Sequence, residues 1–300
     1  MSNQFELLEK YNLKPSKYTL KKNIKIIDTA QGRFLIKNKK RYDKSNLYRY
    51  LQSRGFNYFV CEYNDLDRDD YEIYPYIESI ELSDEQKSID LIYLMSLLHN
   101  KTTFYKNVDL DDVKLIYEKY TQQIIYLNSY YHDLQDIIET HTFMSPSEYL
   151  LIRNISKIYM ILKFAKSELD SWYELTIKKK KIRKAMIHNN LTLDHLIESD
   201  NPYLISWDNA KMDNPIYDFI FFYKSNFLKL NFDNLMAIYE SKFPLLEEEK
   251  KLMFTLLSIP EKIEFSQNEF KNTVFVKRII SYIDCTNDFI SKQHSAYSDN

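Results

Sequence analysis

The chain reads as an α+β protein, a small strand-rich lobe over residues 1–77 followed by a larger helical lobe over 78–300. Two observations predict this. Before Glu78 the apolar residues alternate or run in short blocks, the pattern of half-buried strands. After it they recur at three- and four-residue spacing, the pattern of helices packed on one side. With 300 residues there is length enough for two lobes and a sizeable core.

In the first lobe, residues 25–29 and 33–37 read as a hairpin, with Ala30-Gln31-Gly32 as its turn. Residues 45–54 have helical spacing through Leu47, Tyr50 and Leu51 and stop at Gly55. Segments 59–63 and 71–77 read as two further strands. The helical lobe opens with a capping box, Ser83-Asp84-Glu85-Gln86, ahead of Ile89, Ile92, Met95 and Leu98. A helix is expected over 111–136. Another follows from Ser145-Pro146-Ser147-Glu148, which supplies a cap, a proline in the first turn and an acidic third position. Short strands at 185–188 and 203–207 come next. Helices are then expected at 216–228, 232–241, 246–257 and 266–291, the last from the capping pattern Ser266-Gln267-Asn268-Glu269.

Composition excludes several classes of function. A net charge of -2 gives no global attraction to nucleic acid or anionic membranes. Cys61 and Cys285 form no paired-cysteine metal motif and no disulfide framework, which suits a reducing compartment. The start of the chain has no basic segment followed by an apolar run, and no apolar stretch is long enough to span a bilayer, so a cytoplasmic protein is expected. The 2 glycines, Gly32 and Gly55, cannot build a glycine-rich phosphate loop. The 26 tyrosines reflect a compositional bias that weakens any single tyrosine as a functional signal.

The chemistry-bearing segment is His188-Asn189-Asn190-Leu191-Thr192-Leu193-Asp194-His195, followed by Ile205-Ser206-Trp207-Asp208. Its layout is His-x-Asp-x-x-x-x-Asn and then Ile-Asp-Trp-acidic, the frame of a kinase active site. Asn190 stands at the catalytic base, His195 at a metal-binding Asn and Ser206 at the metal-binding Asp. An amide has no useful basicity, and a hydroxyl or an imidazole is a poor ligand for magnesium. On an extended strand Asp208 would project beside Ser206. Asp208 with His195 could then hold manganese or zinc. The simpler reading makes Asp208 a second acidic residue and gives His195 a local hydrogen bond.

Other fragments keep the same order and spacing. Phe34-Leu35-Ile36-Lys37 resembles a strand carrying a nucleotide-contacting lysine, and Tyr74-Pro75-Tyr76-Ile77-Glu78 is similar to a hinge between lobes. Met95-Ser96-Leu97-Leu98-His99 and Pro215-Ile216-Tyr217-Asp218-Phe219 resemble two structural segments of the helical lobe. Together they resemble the aminoglycoside phosphotransferase and choline kinase superfamily. The runs Tyr239-Glu240-Ser241-Lys242-Phe243-Pro244-Leu245 and Ile259-Pro260-Glu261-Lys262 are similar to its spore-coat (CotS-like) branch of Firmicutes.

The resemblance implies a protein-kinase-like two-lobe fold, with His188 and Asp218 as structural braces of the catalytic loop. In active relatives the strand lysine pairs with a helical Glu. Residues 44–54 hold no acidic residue, and Asp43 is the nearest candidate partner for Lys37. Nucleotide contact and an ordinary strand-end role both stay open for Lys37. With Asn190, His195 and Ser206 in the catalytic positions, the expectation is a catalytically degenerate, pseudokinase-like protein acting by binding or assembly on a protein partner. The resemblance adds a coat or germination role in a spore-forming source. The alternative is an active small-molecule phosphotransferase using ATP with magnesium or manganese through Asp208 and His195. The basic run Lys178-Lys179-Lys180-Lys181-Ile182-Arg183-Lys184 could meet anions, though such runs are commonly solvated helix ends. With no aromatics interleaved in the run, nucleic acid is a minor option. His132, His141 and His294 show no ligand spacing, and Trp172 and Trp207 read as core anchors.

Overall fold

The computed structural model describes residues 8–21, 24–38, 44–63 and 71–298. The chain forms two compact units, Met1–Thr102 with Met186–Lys211, and Thr103–Ala185 with Met212–Asn300. This grouping differs from the expected division at residue 77.

In the first unit, strands β1 (Pro15–Lys21), β2 (Ile24–Thr29), β3 (Gly32–Asn38) and β4 (Tyr71–Pro75) form an antiparallel sheet in that order. The β2–β3 hairpin is the expected one, and Gly32 closes it at φ 125°, a conformation that only glycine takes without strain. Alternation along β3 and β4 splits the sheet into two faces. Ile27, Phe34, Ile36 and Ile73 pack with Leu8 and Leu13 into a core. The other face carries the cross-strand pairs Leu35–Tyr74 and Lys37–Glu72. Helix α1 (Ser45–Ser53) buries Leu47, Tyr48 and Leu51. It stops at Gly55, which adopts φ 72° and donates to Gln52 O at 2.9 Å.

Helix α2 (Asp84–Thr102) buries Leu91, Ile92, Leu94, Met95 and Leu98. Only half of its expected capping box forms. Ser83 Oγ accepts from Gln86 N, but the Gln86 side chain turns forward to Asp90 at 2.9 Å. The motif-bearing segment joins this unit through specific bonds. Met186 N donates to Thr102 Oγ1 at 3.0 Å, and Leu204 N donates to Tyr58 O at 2.8 Å. Trp207, fully buried, packs edge-on against Phe56 and Phe59.

Two expected strands are corrected here. Residues 59–63 contribute only an isolated bridge, Phe59 to Leu204. Residues 203–207 form a two-residue strand β8 (Tyr203–Leu204), paired with β7 (Leu196–Ile197), because Ser206 turns the chain into the left-handed region.

In the second unit, β5 (Phe104–Asn107) pairs antiparallel with β6 (Lys181–Ile187), a pairing that Phe104↔Lys184 and Asn107↔Lys181 define. Neither β1 nor β5 was expected from the sequence. Helices α3 (Leu110–Glu139) and α4 (Pro146–Ile177) pack together, and α4 also packs on α7 (Glu247–Leu257) and α8 (Glu269–Ser298). Asp109 caps α3, and the full Ser145/Glu148 capping box starts α4 as expected.

Helices α5 (Ile216–Asn226) and α6 (Phe232–Lys242) bring Phe219, Phe222, Tyr223, Phe232 and Tyr239 together with Phe289 of α8. Asp218 is fully buried within α5. The Ile259-Pro260-Glu261-Lys262 segment is tied to α3 by Tyr131, whose hydroxyl accepts from Ile263 N at 3.0 Å. Of the histidines without ligand spacing, His132 stacks on Tyr159, His141 meets Glu148, and His294 lies against Phe254.

The capping pattern at 266–269 does not form. Asn268 caps α8 by accepting from Lys271 N. The Glu269 carboxylate instead crosses to α4 and accepts from Ser147 N at 2.6 Å and Ser147 Oγ at 3.0 Å. Partial burial opposes this charge, but the Ser147 bonds outweigh it and hold the Glu269 carboxyl below its usual range. A depressed carboxyl stabilises the fold above its unfolded value, about 4.3, and loses that contribution as pH falls through the folded value. Glu269→Gln should therefore lower stability by about 1–2 kcal/mol at pH 7. Urea midpoints should show the difference from wild type shrinking steadily as pH falls below about 4.3.

Candidate functional site

One face of the first unit surrounds a cavity of about 850 Å3. Lys25, Lys37, Lys44, Glu72, Ser206 and Asp208 supply its polar lining, and Leu20, Leu35, Val60, Ile77, Ile197 and Leu204 its apolar walls. Cross-strand pairing sets Lys37 beside Glu72 and Leu35 beside Tyr74 on the sheet face. The residues of the 74–78 segment that line the cavity are Tyr74, Pro75, Tyr76 and Ile77.

The polar centre is Lys44, at the N-terminal end of α1 and only 4% exposed. Its Nζ donates to both Glu72 carboxylate oxygens at 3.2 and 3.1 Å and lies 2.8 Å from Asp208 Oδ1. Glu72 is 3% exposed. Two carboxylates and an ammonium thus leave water together, which is tolerable only because each charge is met by another. Burial pulls the Lys44 ammonium down. The hydrogen bond to Asp208 and the charges of Glu72 and Asp208 outweigh that and raise it above its ordinary value.

The Tyr74 hydroxyl lies 2.7 Å from Glu62 and 2.9 Å from Glu72. Burial, Tyr48 and the nearby carboxylates push its pKa far up, so it stays protonated and serves as a donor. Tyr48, raised chiefly by burial, stacks on Phe59 beneath.

The charge arrangement is an exchange. In an active kinase a strand lysine meets a helical glutamate. Here the carboxylate, Glu72, is on a strand and the ammonium, Lys44, starts the helix. Lys37 lines the cavity with its Nζ 5.5 Å from the Tyr74 ring centre. Asp43, the partner considered for Lys37, lies outside the described residues.

The motif residues divide into two groups. Ser206 and Asp208 reach the cavity. Ser206 sits at φ 68°, ψ 49° and a short 3-10 turn, Trp207–Asn209, follows it, so the extended strand assumed for Ser206 and Asp208 is not formed. Asn190 and His195 are instead tied to each other, with His195 Nδ1 donating to Asn190 O at 2.6 Å. His188 is fully buried, donates from Nε2 to Ile205 O at 2.9 Å and packs on Trp207 at 4.9 Å. Asn189 takes φ 59°, which asparagine tolerates better than most residues. The loop is therefore built as a brace between two segments of the motif.

These residues do not fit magnesium. Asp208, the one carboxylate that the motif contributes to the cavity, already holds an ammonium at 2.8 Å. Ser206 is neutral, and the His195 Nδ1 is directed at a carbonyl. Among the described residues no three His, Cys, Asp or Glu side chains are placed to hold a metal ion.

Three of the six basic residues of the second unit's run form ion pairs within the fold. Lys179 meets Glu248 at 3.3 Å and Lys184 meets Asp213 at 2.9 Å. Arg183 forks onto Glu249, donates to Pro244 O at 2.8 Å and lies 3.9 Å over the Phe243 ring.

Sequence reasoning missed Lys44 and Glu72. A signal existed for the first. A lysine at a helix N-terminus opposes the macrodipole, and α1 has no acidic residue in its first turn, so the charge must be met from elsewhere.

No protein-family model and no curated protein sequence matches the chain. Among solved structures it is similar to the aminoglycoside phosphotransferase from Alicyclobacillus acidocaldarius subsp. acidocaldarius DSM 446. The TM-score is 0.69 at 10% identity, over 98% of this chain and 96% of that one. It is also similar to spectinomycin phosphotransferase APH(9)-Ia in its AMP-bound complex, at TM-score 0.55 and 13% identity, over 95% and 97% of the two chains. The shared property is the fold, a small antiparallel-sheet lobe with a helical lobe, as the sequence resemblance implied.

Lys44→Met leaves buried Glu72 and half-buried Asp208 without their shared counter-charge and should cost about 3–5 kcal/mol of stability. Lys37→Met, at a half-buried position on the cavity wall, should cost less, under about 1 kcal/mol. Denaturant midpoints test both. Since the Lys44 ammonium is raised, its contribution should be complete below about pH 10.4 and fade as pH rises through the folded value.

Proposed function

We propose that this protein is a catalytically silent member of the kinase fold that works by binding, with the cavity of its first unit as the binding site. One observation carries the reading: the Lys44 ammonium lies 2.8 Å from Asp208, the carboxylate a metal ion would have to use in place of the aspartate that Ser206 replaces. Phosphoryl transfer in this fold depends on metal ions that neutralise charge on the phosphates and on a carboxylate that takes the hydroxyl proton. Asn190 cannot accept that proton at neutral pH, and Ser206 brings no charge. His188, Asn189 and Trp207 still hold the loop in shape. A loop that keeps its bracing after losing its chemistry suits a binding role.

The active alternative, with Asp208 and His195 as manganese or zinc ligands, would have to compete with Lys44 for Asp208 and is the less supported reading. The spore-coat resemblance adds an assembly role with a protein partner. Arg183, by fixing Phe243 and Pro244, keeps one of the segments that carry that resemblance ordered.

The test is transfer of labelled γ-phosphate from ATP to aminoglycoside, choline and water, with magnesium or manganese present. No turnover above a buffer control is expected. Turnover that disappears in both Lys37→Ala and Asp208→Asn would overturn the reading.

A further inference from the structure

We propose that Lys44 is the resident cation of the first unit's cavity, so that the cavity takes a nucleoside or nucleoside monophosphate without any divalent metal ion. This rests on the reading that the site binds rather than transfers, and names the ligand that it binds.

The first support is the position of Lys44. Its ammonium is tethered by Glu72, Asp208 and the Tyr74 hydroxyl, the last at 3.4 Å. A dication on Asp208 would sit beside this fixed positive charge, 2.8 Å from the same carboxylate, and be repelled by it. Withdrawing the ammonium would leave Glu72, 3% exposed, without its counter-charge. The chain thus carries internally the positive charge that active kinases borrow from solution.

The second support is the charge the cavity can accept. Among the described residues three lysines and two carboxylates line it, one net positive charge that Glu62 behind Tyr74 offsets. A nucleoside brings no charge to such a lining, and a phosphate monoester, at about -1.5 to -2, brings the smallest load of the nucleotides. A triphosphate brings considerably more, and active enzymes offset it with metal ions bridging the β- and γ-oxygens. With Lys44 already engaged by two carboxylates, the described lining sets only Lys25 and Lys37 against that excess.

The third support is shape and polarity. Leu35, Val60, Ile197 and Leu204 form apolar walls suited to a planar ring system, while Lys25 and Lys37 line the same space. An apolar pocket with a few convergent polar groups is the usual form of a small-molecule site.

The experiment is calorimetric titration of the purified chain with adenosine, AMP, ADP and ATP, each in chelator and in magnesium. Bound manganese is followed by electron paramagnetic resonance in parallel. Adenosine or AMP should bind with affinity that changes less than about twofold between chelator and magnesium, and ATP should bind roughly tenfold or more weakly. Wild-type protein should hold no manganese with or without nucleotide, and Lys44→Gln, with its two carboxylates released, should acquire it.

Three results would overturn the proposal: no binding by any of the four, magnesium tightening any of them by about tenfold, or ATP as the tightest ligand. A folded Lys44→Gln that gains no manganese would count against it as well. If that variant does not fold, the wild-type titrations and spectra decide alone. Magnesium-tightened ATP binding without turnover would defeat this inference and leave the non-catalytic reading standing, whereas turnover would defeat that reading.

Discussion

The first unit is organised around one buried ammonium. Lys44 joins three pieces of chain far apart in sequence: the start of α1, strand β4 through Glu72, and the motif segment through Asp208. Each charge alone would be expelled from a site this enclosed, since an unpaired buried ion costs several kcal/mol. Held together, they require one another's positions. Tyr48, Phe59 and Trp207 pack beneath them, and His188 braces the loop behind.

The second unit applies the same principle to a different end. Its basic run looks like an anion-binding surface when read along the chain, yet Lys179, Arg183 and Lys184 are met by Glu248, Glu249 and Asp213. Arg183 also stacks on Phe243, so its guanidinium acts as a staple between β6 and the chain ahead of α7. Glu269 likewise leaves its own helix to satisfy the N-terminus of α4. In each case a charge that local reasoning assigns to solvent or to a local cap is used to hold distant elements together. The energetic reason is that a charge-assisted bond in a partly buried place contributes more than an exposed one.

Much of the fold was legible because it is written in local terms. The β2–β3 hairpin follows from alternation and Gly32, α1 stops where Gly55 says it should, and α4 begins at Ser145 with its full capping box. What failed were elements whose existence depends on a partner. Residues 59–63 and 203–207 have strand composition, but the left-handed Ser206 ends the pairing at Leu204, leaving a single bridge to Phe59. Strand β5 went unseen because its pairing with β6 lies across two long helices in sequence. At the site, the sequence shows Asn190 and Ser206 where the motif frame calls for carboxylates. The partner of Asp208 was not readable there.

The amino-acid sequence by itself determined much of the order of elements, the resemblance to a kinase-like frame and the residue types Asn190 and Ser206 within it. These depend on residue identity and near-neighbour spacing, which a chain carries without being folded. Only the tertiary structure decided which charges meet at the cavity. Lys44 and Glu72 are 28 residues apart, and nothing local marks them as a pair. Their meeting with Asp208 comes from excluding water from a shared site, and that exclusion exists only once the sheet, the helix and the motif loop have closed around it.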